Sequence, residues 1–341
     1  MTDTVLVTGI SGFLGGHVAL HLLNQGYRVR GSLRDLKRTD KVRETMRRHG
    51  GDPERLEFVE LDLLRDEGWQ DAMKGVRYVQ HVASPFVLSM PKDPQELIQP
   101  AVGGVERALD AAFASEVEHV VVTSSMAAIM YRHAKDRSEI FTDQDWTEDD
   151  SPLANAYVLS KTLAERRAWA IADAAGRRND LTTVNPSGIY GPLLDEDPGT
   201  SALLLIRLFR GDMPGVPRMT IPAIDARDVA AVHVAAMRDG GNSGGKRLPM
   251  AAGGLSMLEM AQVLREAFPE HTRKLPKLQL PDWFVRFYAL FDKDVRDNLA
   301  ELGPERRIDA SGARALLGRD FVPPKETVLA MAKSVIDQKL V

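Results

Sequence analysis

The sequence predicts an α/β protein built on a doubly wound parallel sheet of about seven strands, and three features carry that reading. Short apolar runs alternate with amphipathic stretches through roughly the first 185 residues, the strand-helix-strand order of a parallel sheet covered by helices on both faces. Glycines recur at three-residue spacing, Gly9, Gly12 and Gly15, where the first apolar run gives way to the first helical pattern. Gly9, Arg34, Asp62, Ala83 and Ser125 each fall just after a predicted strand, on the carboxyl edge where such sheets bind ligands.

In order, strands are predicted at 4–8, 28–33, 56–60, 78–82, 119–123, 182–185 and 247–250. Residues 12–25 form a helix with Leu14, Val18 and Leu22 on one face, and 100–115 another with Val102, Val105, Leu109 and Ala112. A third helix begins near Ser151-Pro152, a capping residue followed by the proline favoured at the first helical position, and ends near Gly176. Beyond Asn185, six prolines between Pro186 and Pro222 break the regularity. Helix 226–238 and strand 247–250 return to the sheet, while helices at 256–268 and 325–338 belong to a smaller, mixed and mainly helical domain. The expected division is 1–185 plus 223–253 for the dinucleotide-binding domain and 186–222 plus 254–341 for the substrate domain. Gly240 to Gly245 reads as a plain loop.

Composition excludes several functions. The chain has 341 residues, 44% hydrophobic and 27% charged, enough to bury a large core. A net charge of -4 leaves no polyelectrolyte footprint for nucleic acid. No apolar run approaches the roughly 20 residues of a membrane span, and the N-terminus runs directly into a strand, so the expected location is cytoplasmic. With no cysteine there is no disulfide or thiolate chemistry, and the eight histidines show no ligand spacing, so no metal is assigned.

The glycine turn lets the backbone bend tightly, admits a pyrophosphate to a helix N-terminus and packs helix on strand, the logic of a Rossmann-type dinucleotide site. An NAD-selective site places a carboxylate at the end of the second strand. Here Leu33 is followed by Arg34 and Asp35, so NADP (NADPH) is favoured over NAD: Arg34 can hold a 2′-phosphate, with Lys41 among the residues able to add a second charge. Tyr157 and Lys161 share a helix face. An ammonium about 4 Å from a phenol contributes roughly 4 kcal/mol at an effective dielectric near 20, up to roughly three pKa units, which brings Tyr157 into range for acid-base work. Ser125 leaves its strand placed to bind the same substrate oxygen.

On Thr8 to Gly15, Arg34-Asp35, Leu61-Asp62-Leu63, His81 to Pro85, Val121 to Ser125, Tyr157 to Lys161, Asn185-Pro186-Ser187 and Gly191-Pro192, the chain resembles the extended short-chain dehydrogenase/reductase family over nearly its whole length. Within it, the similarity is to the dihydroflavonol reductase, cinnamoyl-CoA reductase and aldehyde reductase branch. The resemblance implies Tyr157 as general acid, Lys161 lowering its pKa and gripping the nicotinamide ribose, and Ser125 orienting the carbonyl. It implies cofactor contacts from Gly9, Ser11, Gly12, Phe13, Leu14 and Gly15, from Asp62 and Leu63 near adenine, from Val82, Ala83, Ser84 and Thr123 along the cofactor, and from Pro186, Ser187 and Ile189 beside the nicotinamide. Sugar-nucleotide epimerases and dehydratases of the wider family usually carry an acidic residue and an arginine where this chain has Leu33 and Leu193. A non-catalytic NADP-binding sensor generally lacks the tyrosine. The reading is therefore an NADPH-dependent reductase of an apolar or aromatic aldehyde or ketone, with Pro85, Phe86, Met130 and Tyr190 lining the substrate pocket, acting as monomer or homodimer.

Overall fold

The structure, a computed structural model, describes residues 3–85, 90–132, 139–213, 215–303 and 305–341. β1 (Thr4–Thr8) leads to α1 (Phe13–Asn24), β2 (Arg28–Leu33) to α2 (Thr39–Arg48), and β3 (Leu56–Glu60) to the single turn α3 (Trp69–Ala72). β4 (Tyr78–His81) leads to α4 (Gln95–Phe113), and β5 (His119–Thr123) to α5 (Ala156–Ala174) and β6 (Leu181–Pro186). Then come β7 (Gly188–Tyr190), α6 (Gly199–Arg210), β8 (Thr220–Asp225), α7 (Ala226–Arg238), the single turn α8 (Gly240–Ser243), β9 (Arg247–Met250) and β10 (Gly253–Ser256). Helices α9 (Met257–Ala267), α10 (Asp282–Tyr288), α11 (Lys293–Asp297), α12 (Ser311–Leu317) and α13 (Pro324–Asp337) complete the chain.

Seven strands form one parallel sheet in the order β3-β2-β1-β4-β5-β6-β9, so the direction of winding reverses between β1 and β4. Successive side chains of a strand face opposite ways, and both faces are covered. Val5, Val7, Val29 and Val121 pack with Val18 and Leu22 of α1 and Val229 of α7. Leu6, Val79, Val120 and Val122 pack with Leu109 of α4 and Trp169 of α5. This double burial is why the strands read as continuous apolar runs. Ala313 of α12 and Phe321 join the first of these two layers.

Three departures from the sequence reading have local causes. The second long helix starts at Gln95 and runs through Pro100, which gives up one N–H within its first two turns. The helix carrying Tyr157 starts at Ala156, capped by Asn155, whose side chain accepts the Val158 N–H at 3.0 Å, and Ser151 lies outside it. The proline-rich region and its flank contain a three-stranded sheet, β10-β8-β7, that the pattern hid. Its strands are short, β7 and β10 carry Gly and β8 carries Pro222; β7 pairs only with Ala223 to Asp225, so the missing Pro222 N–H is not needed on that side. A separate apolar cluster of α6, α9 and α13 residues, with Tyr190 and Ala223, packs on this sheet. The stretch from Gly240 closes as α8 rather than as an open loop. Among the described residues no helix is long and apolar enough to cross a membrane.

Asn155→Ala should lower stability by about 1 kcal/mol, as loss of a cap does, read as a fall in the denaturation midpoint.

Candidate active site

The site begins where β1 ends. Gly9 has φ +69°, and a Cβ there would lie 3.0 Å from the Ala83 Cα, so strand-end backbones of β1 and β4 meet at a distance only glycine permits. The Gly12 N–H closes the turn on the Gly9 carbonyl at 2.9 Å. At Gly15 a Cβ would come within 2.2 Å of that same carbonyl oxygen, so the third glycine seats α1 against the turn. Gly12 caps α1 without a side chain, and no side chain takes up the first-turn N–H groups there. Ser11 and Phe13 are half-buried, with the Phe13 ring edge-on to His17 at 5.2 Å. Leu14 is a correction: its side chain is buried in the core beneath the sheet, which leaves only its backbone at the turn.

Thr8 ties the turn to β4. Its Oγ1 accepts the N–H groups of Val82 and Ala83, both at 3.0 Å, and so donates to His81 Nδ1 at 3.1 Å. Burial, then the nearby Lys161 charge, lowers His81 to about 4, so it is neutral at pH 7 and able to accept that proton. Ser32 Oγ accepts the Gly9 N–H at 3.1 Å and links β2 to the turn.

At the end of β2, Arg34 is exposed, and among the described residues no carboxylate pairs with it. Asp35 is spent locally, accepting the Lys37 N–H at 2.9 Å. Lys41 does not stand with Arg34: its ammonium is 3.0 Å from Glu196 and 3.7 Å from Asp195, because the acidic 195–197 segment folds over α2. After β3, Asp62 accepts the Leu64 N–H at 2.9 Å, and Leu63 packs against Gly104 of α4.

Lys161, Thr123, Ser124, Ala83, Ser84 and Glu165 line one cleft along the carboxyl ends of β4 and β5. The Thr123 hydroxyl itself faces the other way, 3.1 Å from His233 Nε2 on α7, so its side chain serves the sheet. Ser125 caps the turn after β5, accepting the Ala127 N–H at 3.1 Å, with its hydroxyl beside the Tyr157 phenol. Lys161 is buried, its ammonium over the Tyr157 ring, 5.9 Å from the centroid.

This arrangement corrects the expected electrostatics. Burial raises the Tyr157 phenol above its ordinary range, with the neighbouring Ser125 hydroxyl opposing the shift. The Lys161 ammonium lies over the ring, and burial lowers it to about 8.

Pro186 ends β6, and Ser187 Oγ is buried with no hydrogen-bond partner among the described residues. Ile189 is half-buried against the main core. Tyr190 is a second correction: it is 2% exposed inside the cluster on the small sheet, a packing residue rather than a pocket wall. Pro85 is half-buried, and Phe86 lies outside the described residues. Met130 packs with Tyr131, Leu153 and Tyr157.

Sequence reasoning missed the far side of this wall. The Tyr131 hydroxyl donates to Glu301 at 2.6 Å, Glu301 receives Arg306 at 2.5 Å, and the Arg306 guanidinium lies over the Tyr131 ring at 4.7 Å. Arg306 lies on a strap that pairs Gly303 with Met219 at one end and Ile308 with Phe141 at the other, and Glu301 just precedes it. It also missed Glu165 and Arg247, which form a buried ion pair at 2.6 Å. The available signal was an acidic residue one turn beyond Lys161 on an otherwise buried stripe, and an arginine opening an apolar strand.

A glycine turn beside the point where the winding reverses, with a serine beside a tyrosine two strands further along the sheet, puts the protein in the doubly wound dinucleotide-binding class. Residues 5–247 match the model of the NAD dependent epimerase/dehydratase family, and the chain belongs to that family. It is 33% identical over 285 residues to cinnamoyl-CoA reductase CAD2 of Medicago truncatula, covering 82% of this chain and 83% of the relative. Yeast methylglyoxal/isovaleraldehyde reductase Gre2, solved with NADPH, is similar at a TM-score of 0.81 and 26% identity, over 98% of this chain and 99% of that one. Gre2 of Candida albicans, also solved with NADPH, gives 0.79 and 25%, over 98% and 99%. The similarity thus lies with the cinnamoyl-CoA and aldehyde reductase branch of the extended short-chain dehydrogenases/reductases.

A buried ammonium lowered to about 8 destabilises the fold wherever it is charged. The unfolded chain binds that proton up to about pH 10.4, so this group's contribution to stability rises with pH between the two values. Lys161→Met should therefore raise the melting temperature at pH 7, with the gain shrinking as pH climbs past about 8; a lower melting temperature at pH 7 would contradict the burial argument.

Proposed function

We propose that this protein is an NADPH-dependent carbonyl reductase that converts an apolar or aromatic aldehyde or ketone to the alcohol. The observation that carries the reading is the gathering of the Ser125 hydroxyl, the Tyr157 phenol and the buried Lys161 ammonium on the carboxyl edge of the sheet. The residues present fit the dinucleotide: a glycine turn with uncapped helix N–H groups for the pyrophosphate, and exposed Arg34 for the 2′-phosphate. Lys161 in the cleft suits the ribose, and the orphaned Ser187 hydroxyl suits the nicotinamide end. NADPH complexes of the two Gre2 reductases support the same choice of cofactor. The large-sheet part, 1–185 with 223–253, would hold the dinucleotide, and 186–222 with 254–341 the carbonyl compound.

When bound, NADPH supplies the hydride. Ser125 holds the carbonyl oxygen, and Tyr157 Oη delivers the proton. A phenol raised by burial keeps its proton at neutral pH, the form a donor needs. The Lys161 ammonium then stabilises the phenolate left behind and grips the ribose. Met130, Tyr131 and Leu153 around Tyr157 favour an apolar substrate over a sugar nucleotide.

NADPH absorbance followed with a panel of aldehydes and ketones tests the reading: consumption with one of them supports it, whereas tight NADPH binding with no turnover points to a sensor. Tyr157→Phe should lose roughly 10²- to 10⁴-fold in turnover with NADPH affinity retained, and full activity would refute the assignment. Arg34→Ala should reduce the NADPH-over-NADH preference by roughly 10- to 150-fold, measured as the ratio of kcat/KM values.

A further inference from the structure

We propose that Glu165 and Arg247 are positioning residues that set the place and the charge of the Ser125, Tyr157 and Lys161 groups; the inference rests on the reductase reading for its kinetic arm. Tyr157, Lys161 and Glu165 follow one another at four-residue intervals along α5, on one face of the helix. Glu165 is 1% exposed and saturated with donors. Its Oε1 receives Arg247 Nε at 2.6 Å, Thr183 Oγ1 at 2.9 Å and Trp169 Nε1 at 3.3 Å. Its Oε2 receives Ser124 Oγ at 2.5 Å and Asn185 Nδ2 at 2.6 Å. With every acceptor position filled, this carboxylate is a fixed point and not an acid or base in turnover.

The fixed point holds Ser125 from two sides. Ser124, its neighbour, is bound to Glu165 directly, and Asn185 reaches from Glu165 to the Ser125 carbonyl at 3.3 Å. Arg247, the first residue of β9, completes the clamp: it donates to the carbonyls of Asp143 at 2.9 Å, Asp145 at 2.5 Å and Ala128 at 3.3 Å, with its guanidinium over the Trp146 ring at 3.7 Å. The pair thus joins α5, the ends of β5 and β6, β9 and the loop at 143–146, the elements that determine how far Ser125 stands from Tyr157. A buried ion pair contributes little net stability relative to a well-packed apolar pair, whereas misplacing reacting groups by about 1 Å lowers rates by roughly 10²-fold.

The charge matters separately. The titratable and charged groups around the Lys161 ammonium are Tyr157, whose ring it lies over, His81 on β4, and Glu165 one turn further along α5 in the same cleft, itself paired with Arg247. Removing the Glu165 charge leaves Arg247 positive and makes the ammonium harder to hold.

Three variants separate these effects: Glu165→Asp, Glu165→Gln, and the apolar pair Glu165→Leu with Arg247→Met. Each is checked for folding by circular dichroism and for NADPH affinity. Glu165→Asp keeps the charge and shortens the strut, so kcat should fall roughly 10- to 100-fold with the Lys161 titration unchanged. Glu165→Gln should move that titration to lower pH, read by NMR of the lysine side chain with Lys161→Met as the assignment control. The apolar pair, folded and binding NADPH, should remain slow. Wild-type kcat in the folded apolar pair, or an unmoved Lys161 titration in Glu165→Gln, overturns the proposal. If the wild-type chain reduces no carbonyl compound, the reductase reading fails and the Lys161 titration alone decides this one.

Discussion

An ammonium held out of water with no carboxylate against it is the constraint around which this molecule is arranged. Among the described residues Lys161 has no ion-pair partner, and its burial depends on α5 lying flat on the sheet with α4 closing its other side. The neighbouring groups accommodate the charge by being neutral: His81 is stripped of its own proton affinity by burial, and Tyr157 presents a ring face. Glu165, the nearest acid along the helix, is already committed to Arg247. The resulting cleft combines a cation, two hydroxyls and low water access, the combination that makes a polar site more effective than the same groups in solution.

Much of this was legible in the sequence where chemistry and period coincide. Gly9, Gly12 and Gly15 announce the turn because backbone approach there forbids a Cβ, and the parallel strands announce themselves because both faces are buried. Tyr157 and Lys161 share a face by helical geometry alone. The illegible parts depend on partners far away in the chain. Lys41 could not be assigned without knowing that the 195–197 segment folds back over it. Tyr190 has the composition of a pocket residue, and only the packing on the small sheet removes it from the pocket. The direction of the Tyr157 shift is set by burial of the phenol, which spacing does not contain. The small sheet itself was hidden by strands of three to six residues that carry Gly or Pro.

The two halves of the site differ in kind. On the side of the glycine turn the groups presented are backbone, close in sequence and tied by Thr8 and Ser32 into the sheet. Around Tyr157 the wall is built of side chains, with Met130 and Tyr131 on one segment and Glu301 and Arg306 on another. Such a division lets the cofactor cleft stay constant while the wall varies.

The strap that carries Arg306, with Glu301 just before it, bears on how the molecule matures. Tyr131 and Glu301 are 170 residues apart in the chain, whereas Thr8 and Ala83 are 75 apart. Contacts of such long separation close late, because the intervening loop must be ordered first. The ties between β1 and β4 therefore close ahead of the wall formed by Tyr131, Glu301 and Arg306, which is sealed later.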